Sequence, residues 1–266
     1  MRELCAYFGL KCEPFDKEIK TRDLVDTHAL KECAARLDFM KQHGGVMLLT
    51  GDPGIGKTVA LRRFVDGLND NIFRPIYTHL ATLNRLDILR HINHRLGLTT
   101  RAAKSAVFTQ IQDEILDSRE QRGRTVVLIL DEAQLLQIGP LQELRLMTNF
   151  KMDSHDPFVL ILAGQSELKR VMDYAIMEPL AQRLRLRYHM PQLSAQETAA
   201  YVEQLLKRAG ATEPIFAPEA LSAMHELTYG IPRRIGNMAS QAMLHAMFDD
   251  KRTVDADMVL RVKTGV

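Results

Sequence analysis

Cysteine is scarce in this 266-residue chain: Cys5, Cys12 and Cys33 are the three it has, and no two stand at C-x-x-C spacing. An odd number without paired spacing argues against a disulfide framework or a zinc cluster, so a reducing cytoplasm is the expected compartment. Long hydrophobic runs are missing too. Nowhere do about 18 apolar residues follow one another, and no transmembrane helix is expected. The opening residues, Met1 to Tyr7, lack the apolar stretch of a secretory signal. Charge of one sign is also lacking, because 35 Lys and Arg stand against 33 Asp and Glu for a net of +2. Overall attraction to nucleic acid is therefore too weak to identify a partner. What remains, 46% hydrophobic and 26% charged residues, suits a globular core with a solvated surface.

The most informative segment is GDPGIGKT, Gly51-Asp52-Pro53-Gly54-Ile55-Gly56-Lys57-Thr58, which fits G-x-x-x-x-G-K-[S/T]. An apolar run, Val46 to Thr50, precedes it and reads as a buried strand; Val59 to Val65 follows and reads as a helix. Strand, glycine-rich loop and helix are the context a phosphate cradle needs. Gly51, Gly54 and Gly56 allow successive backbone N–H groups to turn toward phosphate oxygens, and the helix N-terminus adds partial positive charge. Lys57 is expected on the β- and γ-phosphates and Thr58 on Mg²⁺, with the loop from Gly51 to Val59 as the binding segment for ATP.

Strand and helix patterns alternate along the first two thirds of the chain. Strands are expected at 73–78, 126–130, 158–162 and, alternating Leu with Arg, at 184–188 on a sheet edge. Helices are expected at 86–92, 106–119 and 141–150. This order predicts an α/β fold with a central parallel five-stranded sheet flanked by helices. Beyond Pro191 only helical patterns occur, at about 195–209, 218–228, 233–247 and 255–263, with Ser194 and Glu197 at capping-box spacing. The expected division is a nucleotide-binding domain over 1–190, with an N-terminal extension over 1–25, and a small helical domain over 191–266.

Asp131-Glu132 closes the third apolar strand. Two carboxylates at a strand's C-terminal edge, facing a phosphate loop, have the form of a Walker B element: Asp131 for Mg²⁺ through water, Glu132 for orienting the attacking water. These motifs, with Ala163-Gly164-Gln165 after a strand, Arg183 before an edge strand and Gly230-Ile231-Pro232-Arg233-Arg234 in the helical part, resemble the AAA+ superfamily. Tyr7-Phe8-Gly9-Leu10, Pro14-Phe15, LDEAQ at 130–134, AGQSEL at 163–168 and LAQRLRLRYHM at 180–190 are similar, more narrowly, to ExeA/TniB-type ATPases, relatives of the Mu B protein and TnsC of transposition. The resemblance implies a P-loop NTPase with a helical lid. It assigns Gln165 as sensor 1, Arg233 as the sensor 2 arginine, and Arg183 as an arginine finger reaching a neighbouring subunit's nucleotide, with Arg185 and Arg187 as alternatives. A finger acting in trans implies self-association, as a ring or helical filament.

Between 82 and 104, Arg85, Arg90, Arg95, Arg101 and Lys104 accompany one acid, Asp87, for a local charge of +4. In TnsC-like relatives this region tracks DNA phosphates, so the resemblance implies that Thr82, Arg85, Thr100 and Lys104 hold double-stranded DNA without sequence preference. The implied function is a bacterial cytoplasmic transposition accessory ATPase that delivers target DNA to a transposase, with no membrane partner. The alternatives are an ExeA-like ATPase of secretion or envelope assembly, and a helicase- or clamp-loader-type protein. ExeA-type proteins imply a membrane segment and a peptidoglycan-binding region after the ATPase module. The chain carries neither before Val266, and the expectation therefore leans toward transposition.

Overall fold

The computed structural model describes residues 2–16, 19–79, 84–99 and 101–264. Its sheet has five strands, β1 (Gly45–Thr50), β2 (Phe73–His79), β3 (Thr125–Asp131), β4 (Val159–Gly164) and β5 (Leu184–His189), in the order β2-β3-β4-β1-β5. All neighbouring pairs are parallel. Every residue of β1, β3 and β4 is buried, as in a sheet covered by helices on both faces, and these are the strands with unbroken apolar sequence. β5 lies on the edge and alternates, its leucines half-buried and its arginines exposed. The parallel α/β architecture expected from the strand–helix alternation is thus present.

Several element bounds differ from the sequence reading. The helix expected over 141–150 runs Ile138–Met147, and Phe150 beyond it is buried edge-on against Phe158, 5.8 Å between ring centres. The helix after β2 runs Arg85–Arg95, started by Asn84, whose side-chain oxygen accepts from the Leu86 and Asp87 N–H groups. Two helices, His28–His43 and Ser166–Met172, had no counterpart in the sequence reading. Strand order has one consequence for chemistry. β4 lies between β1 and β3, so the segments that follow these three strands emerge side by side at the C-terminal edge of the sheet, where open α/β folds bind ligands.

Residues group into two compact units, one of Glu32–Gly51 with Lys57–Met190, the other of Met1–Lys31, Asp52–Gly56 and Pro191–Val266. The first is the sheet with its helices. In the second, Leu4 and Leu10 join Val202, Met224, Ile235, Met243 and Val259 in one buried cluster, which is why the N-terminal segment keeps company with the C-terminal helices. Helix Ala195–Ala209 begins with a full capping box: Ser194 Oγ accepts from the Glu197 N–H at 3.2 Å, and Glu197 Oε2 accepts from the Ser194 N–H at 2.9 Å. Such a cap stabilises a helix by about 1 kcal/mol.

Gly230 links the last two long helices of this unit. It has φ +66°, and a Cβ there would stand 2.0 Å from the Leu193 carbonyl oxygen. Backbone cannot swing aside as a side-chain tip can. Gly230→Ala is therefore expected to cost more than the roughly 1–2 kcal/mol of the left-handed conformation alone. Gly9, in the same unit with φ +68° and nothing within 4 Å of a built Cβ, isolates that conformational cost. Chemical denaturation of Gly230→Ala and Gly9→Ala beside the parent measures the difference, with the larger drop expected at position 230.

Candidate active site

The phosphate loop takes its shape from residues that few other sequences supply. Gly54 and Gly56 have φ +83° and +114°, left-handed values that side-chain-bearing residues rarely adopt. The Ile55 N–H closes a turn on the Asp52 carbonyl at 3.2 Å. Lys57, 6% exposed, donates from its ammonium to the Gly51 carbonyl at 2.8 Å. Within the helical unit, the Arg233 N–H donates to the Gly54 carbonyl at 3.2 Å, and the Arg233 Cβ lies 2.7 Å from where a Gly54 Cβ would be. Arg233 thus starts its helix at the tip of the phosphate loop, and only glycine fits beneath it. Asp52 accepts from Gln192 Nε2 at 2.8 Å. Pro53 is exposed, and Val59 half-buried in the helix that follows.

Across the sheet edge, Thr58 Oγ1 donates to Asp131 Oδ2 at 2.8 Å, joining the two motifs 73 residues apart in the chain. Asp131 is 1% exposed. Its Oδ1 accepts from the Glu132 N–H at 2.9 Å, and its Oδ2 accepts also from the Tyr77 hydroxyl at 2.7 Å. Burial, that hydrogen bond and the two carboxylates hold the Tyr77 phenol far above its ordinary pKa, in the neutral donor form. Glu132 itself has φ 58° and ψ 34°, an uncommon conformation for a non-glycine residue and one concentrated at functional sites. Its Oε2 accepts from Gln134 Nε2 at 2.6 Å and from Gln165 Nε2 at 3.4 Å. Thr58, Asp131, Glu132 and Gln165 therefore form one hydrogen-bonded chain at the C-terminal edge of β1, β3 and β4.

A hydroxyl and a buried carboxylate sharing a hydrogen bond beside a phosphate loop are hard oxygen donors suited to Mg²⁺. Thr58 and Asp131 would hold that ion, which when bound offsets charge on the phosphate oxygens. Two participants escaped the sequence reading. Tyr77 reaches Asp131 only because β2 pairs with β3 in a register that sets His79 opposite Asp131. Gln134 stands within LDEAQ at 130–134, and its link to Gln165 runs across 31 residues that no linear pattern joins.

The arginines before and within β5 have partners of their own. Arg183 is half-buried and its N–H donates to the Leu180 carbonyl at 3.0 Å. Arg185 pairs with Asp156 at 2.5 Å. Arg187 is 4.0 Å from Asp173 and donates to the Ala181 carbonyl at 3.0 Å.

The basic segment differs from its linear sequence count. Lys104 Nζ lies 2.5 Å from Glu143 Oε1, and Arg85 Nη1 lies 4.0 Å from the same oxygen. Arg85 also donates to Gln142 Oε1 at 3.1 Å. Glu143 is 2% exposed, so the local charge of +4 becomes +3 once this carboxylate is included. Arg90 and Arg95 turn toward the carbonyls of Ala102 and Tyr77. Thr82 and Thr100 lie outside the described residues.

The AAA domain family profile matches residues 40–172, half of the chain, and the chain belongs to that family: it is an AAA+ ATPase, and proteins of this class use ATP with Mg²⁺. It is 35% identical over 248 residues to General secretion pathway protein A of Aeromonas hydrophila, covering 90% of this chain and 44% of that protein. The chain thus spans less than half the length of this curated relative. Among solved structures it is similar to the ORC1 protein of Aeropyrum pernix in complex with DNA, with a TM-score of 0.65 at 18% identity over 91% of this chain and 66% of that one. It is similar also to Cdc6p from Pyrobaculum aerophilum, with a TM-score of 0.68 at 15% identity over 91% and 67% of the two chains. At these identities the likeness is one of fold. No helix among the described residues is long and apolar enough to cross a membrane.

Proposed function

We propose that this chain is an ATP-dependent, sequence-non-specific DNA-binding ATPase that self-associates on duplex DNA and serves as a transposition accessory protein, delivering target DNA to a transposase. The observation that carries the enzymatic part is the hydrogen-bonded chain Thr58–Asp131–Glu132–Gln165 beside the phosphate loop. Water attacks the γ-phosphorus, the bond to the β,γ-bridging oxygen breaks, and ADP, phosphate and the water's proton are the products. Glu132 orients that water, Gln165 senses the γ-phosphate, Lys57 and the loop from Gly51 to Val59 hold the phosphates, and Arg233 serves as the sensor 2 arginine.

The DNA-binding part rests on the cations around 85–104 and on the motif resemblance to TnsC-like ATPases. Lys104 and Arg85 share the buried Glu143, so a DNA phosphate must compete with that carboxylate. An assembly aligning many such weak contacts along one duplex meets that requirement. Filter binding over a salt series, with and without a non-hydrolysable ATP analogue, tests the reading. Removing Arg85 and Lys104 together should lower the slope of log K against log salt by about 1.8, at about 0.9 per phosphate contact. Glu143→Gln is made in the same protein so that no unpaired buried carboxylate remains. Affinity should fall alike for all sequences while ATP binding is unchanged.

A second reading, an ATPase module of a secretion apparatus, is favoured by the 35% identity to General secretion pathway protein A. Absence of ATP-stimulated DNA binding by the parent at low salt would replace the first reading with this one.

A further inference from the structure

We propose that Gln134 is a positioning residue for hydrolysis: its carboxamide clamps the Glu132 carboxylate to the end of β4. The clamp uses both ends of the amide. Nε2 donates to Glu132 Oε2 at 2.6 Å, while Oε1 accepts from the Gln165 N–H at 3.0 Å. An amide so held cannot flip without losing both bonds, which fixes its donor toward Glu132. The surroundings are shaped for it. A Cβ on Gly164 would stand 2.7 Å from Gln134 Oε1 and 3.2 Å from the Gln134 N–H nitrogen, so glycine at 164 admits the side chain. Glu132 needs such a tether because its backbone is left-handed, and its other carboxylate contact, from Gln165 Nε2, is long at 3.4 Å.

The carboxylate oxygen is thereby held at a fixed place relative to Gln165, the residue assigned to the γ-phosphate, so movement at one is transmitted to the other through Gln134. The inference rests on the reading of Glu132 as the residue that orients the attacking water.

Steady-state ATPase assays test it with two variants. Gln134→Leu keeps the bulk and removes both polar ends. Its kcat should fall about 10- to 100-fold, the usual consequence of losing a group that orients a reacting one, with affinity for an ATP analogue within about twofold of the parent. Gln134→Glu keeps the size and an acceptor for the Gln165 N–H but offers Glu132 no donor, so it should be slowed at least as much. Each is also made on Glu132→Gln, where a residue that acts only through the carboxylate adds no further loss to the residual rate, whereas lost packing adds its full factor. If Gln134→Leu fails to fold, Gln134→Glu, alone and on Glu132→Gln, still decides. Either variant at the parent rate, or the same loss repeated on Glu132→Gln, would overturn the proposal. Glu132→Gln, assayed alongside, separates the two levels. If it hydrolyses ATP at the parent rate, the reading of the site is wrong; if it is slow while the Gln134 variants turn over normally, only the clamp is wrong.

Discussion

Glu132→Gln is expected to bind ATP with the parent's affinity and to lose about 10²–10⁴ in kcat, the range associated with a positioned acid–base group. The substitution is nearly isosteric, and the groups expected to hold Mg²⁺ are untouched, since Thr58 and Asp131 bond to each other rather than to the Glu132 side chain. What disappears is an acceptor for the attacking water. The new amide also meets the Gln134 and Gln165 Nε2 donors that now converge on Glu132 Oε2, and it can accept from only one side. Lys57→Ala should fail earlier in the cycle. Lys57 is 6% exposed, and removing a buried charged partner of phosphate costs more than about 2 kcal/mol, weakening ATP binding by 30-fold or more. Equilibrium binding of a fluorescent ATP analogue together with phosphate release distinguishes the two variants. A Glu132→Gln protein that releases phosphate at the parent rate would remove Glu132 from the proposed site.

Much of this arrangement is legible in the chain because it is local. GDPGIGKT is contiguous, and the strands on either side of the site, β1 and β3, are buried on both faces, so their residues form unbroken apolar runs. β5 is legible for the opposite reason, since an edge strand alternates. What escaped depends on pairings that no linear pattern carries. Tyr77 meets Asp131 across 54 residues through the β2–β3 register. Glu143 lies 39 residues from Lys104, in a helix with no visible link to the basic segment, and it takes one unit of charge from a face that looked more positive in sequence. Helix His28–His43 is the exception, since Leu30, Cys33, Leu37 and Met40 recur every three or four residues and form its buried face, while Arg36 stacks on Tyr188 of β5 at 4.3 Å. Leu4 and Leu10 enter a core whose other buried members begin at Leu193, 183 residues beyond Leu10.

Arg183→Ala is expected to lower ATP turnover about 10³-fold or more while leaving ATP affinity intact, the scale on which a finger arginine stabilises charge on the transferring phosphoryl group. The candidates are separable by their present partners. Arg185 and Arg187 hold exposed ion pairs with Asp156 and Asp173; such pairs contribute at most about 1 kcal/mol and are easily exchanged, so all three arginines enter the test. Arg185→Ala and Arg187→Ala should each leave turnover within about threefold of the parent if Arg183 is the finger, because neither loss touches the transition state. Action in trans makes two further demands. Turnover per chain must rise with protein concentration as the subunits meet head to tail. Mixing Arg183→Ala with Lys57→Ala, each inactive alone, must also restore activity. In a random equimolar assembly an intact phosphate loop faces an intact arginine at about a quarter of the interfaces, which sets the expected recovery for a head-to-tail arrangement. Concentration-independent turnover with no recovery on mixing would mean that the site is complete within one chain, and the arginine before β5 would then serve the fold rather than a neighbour.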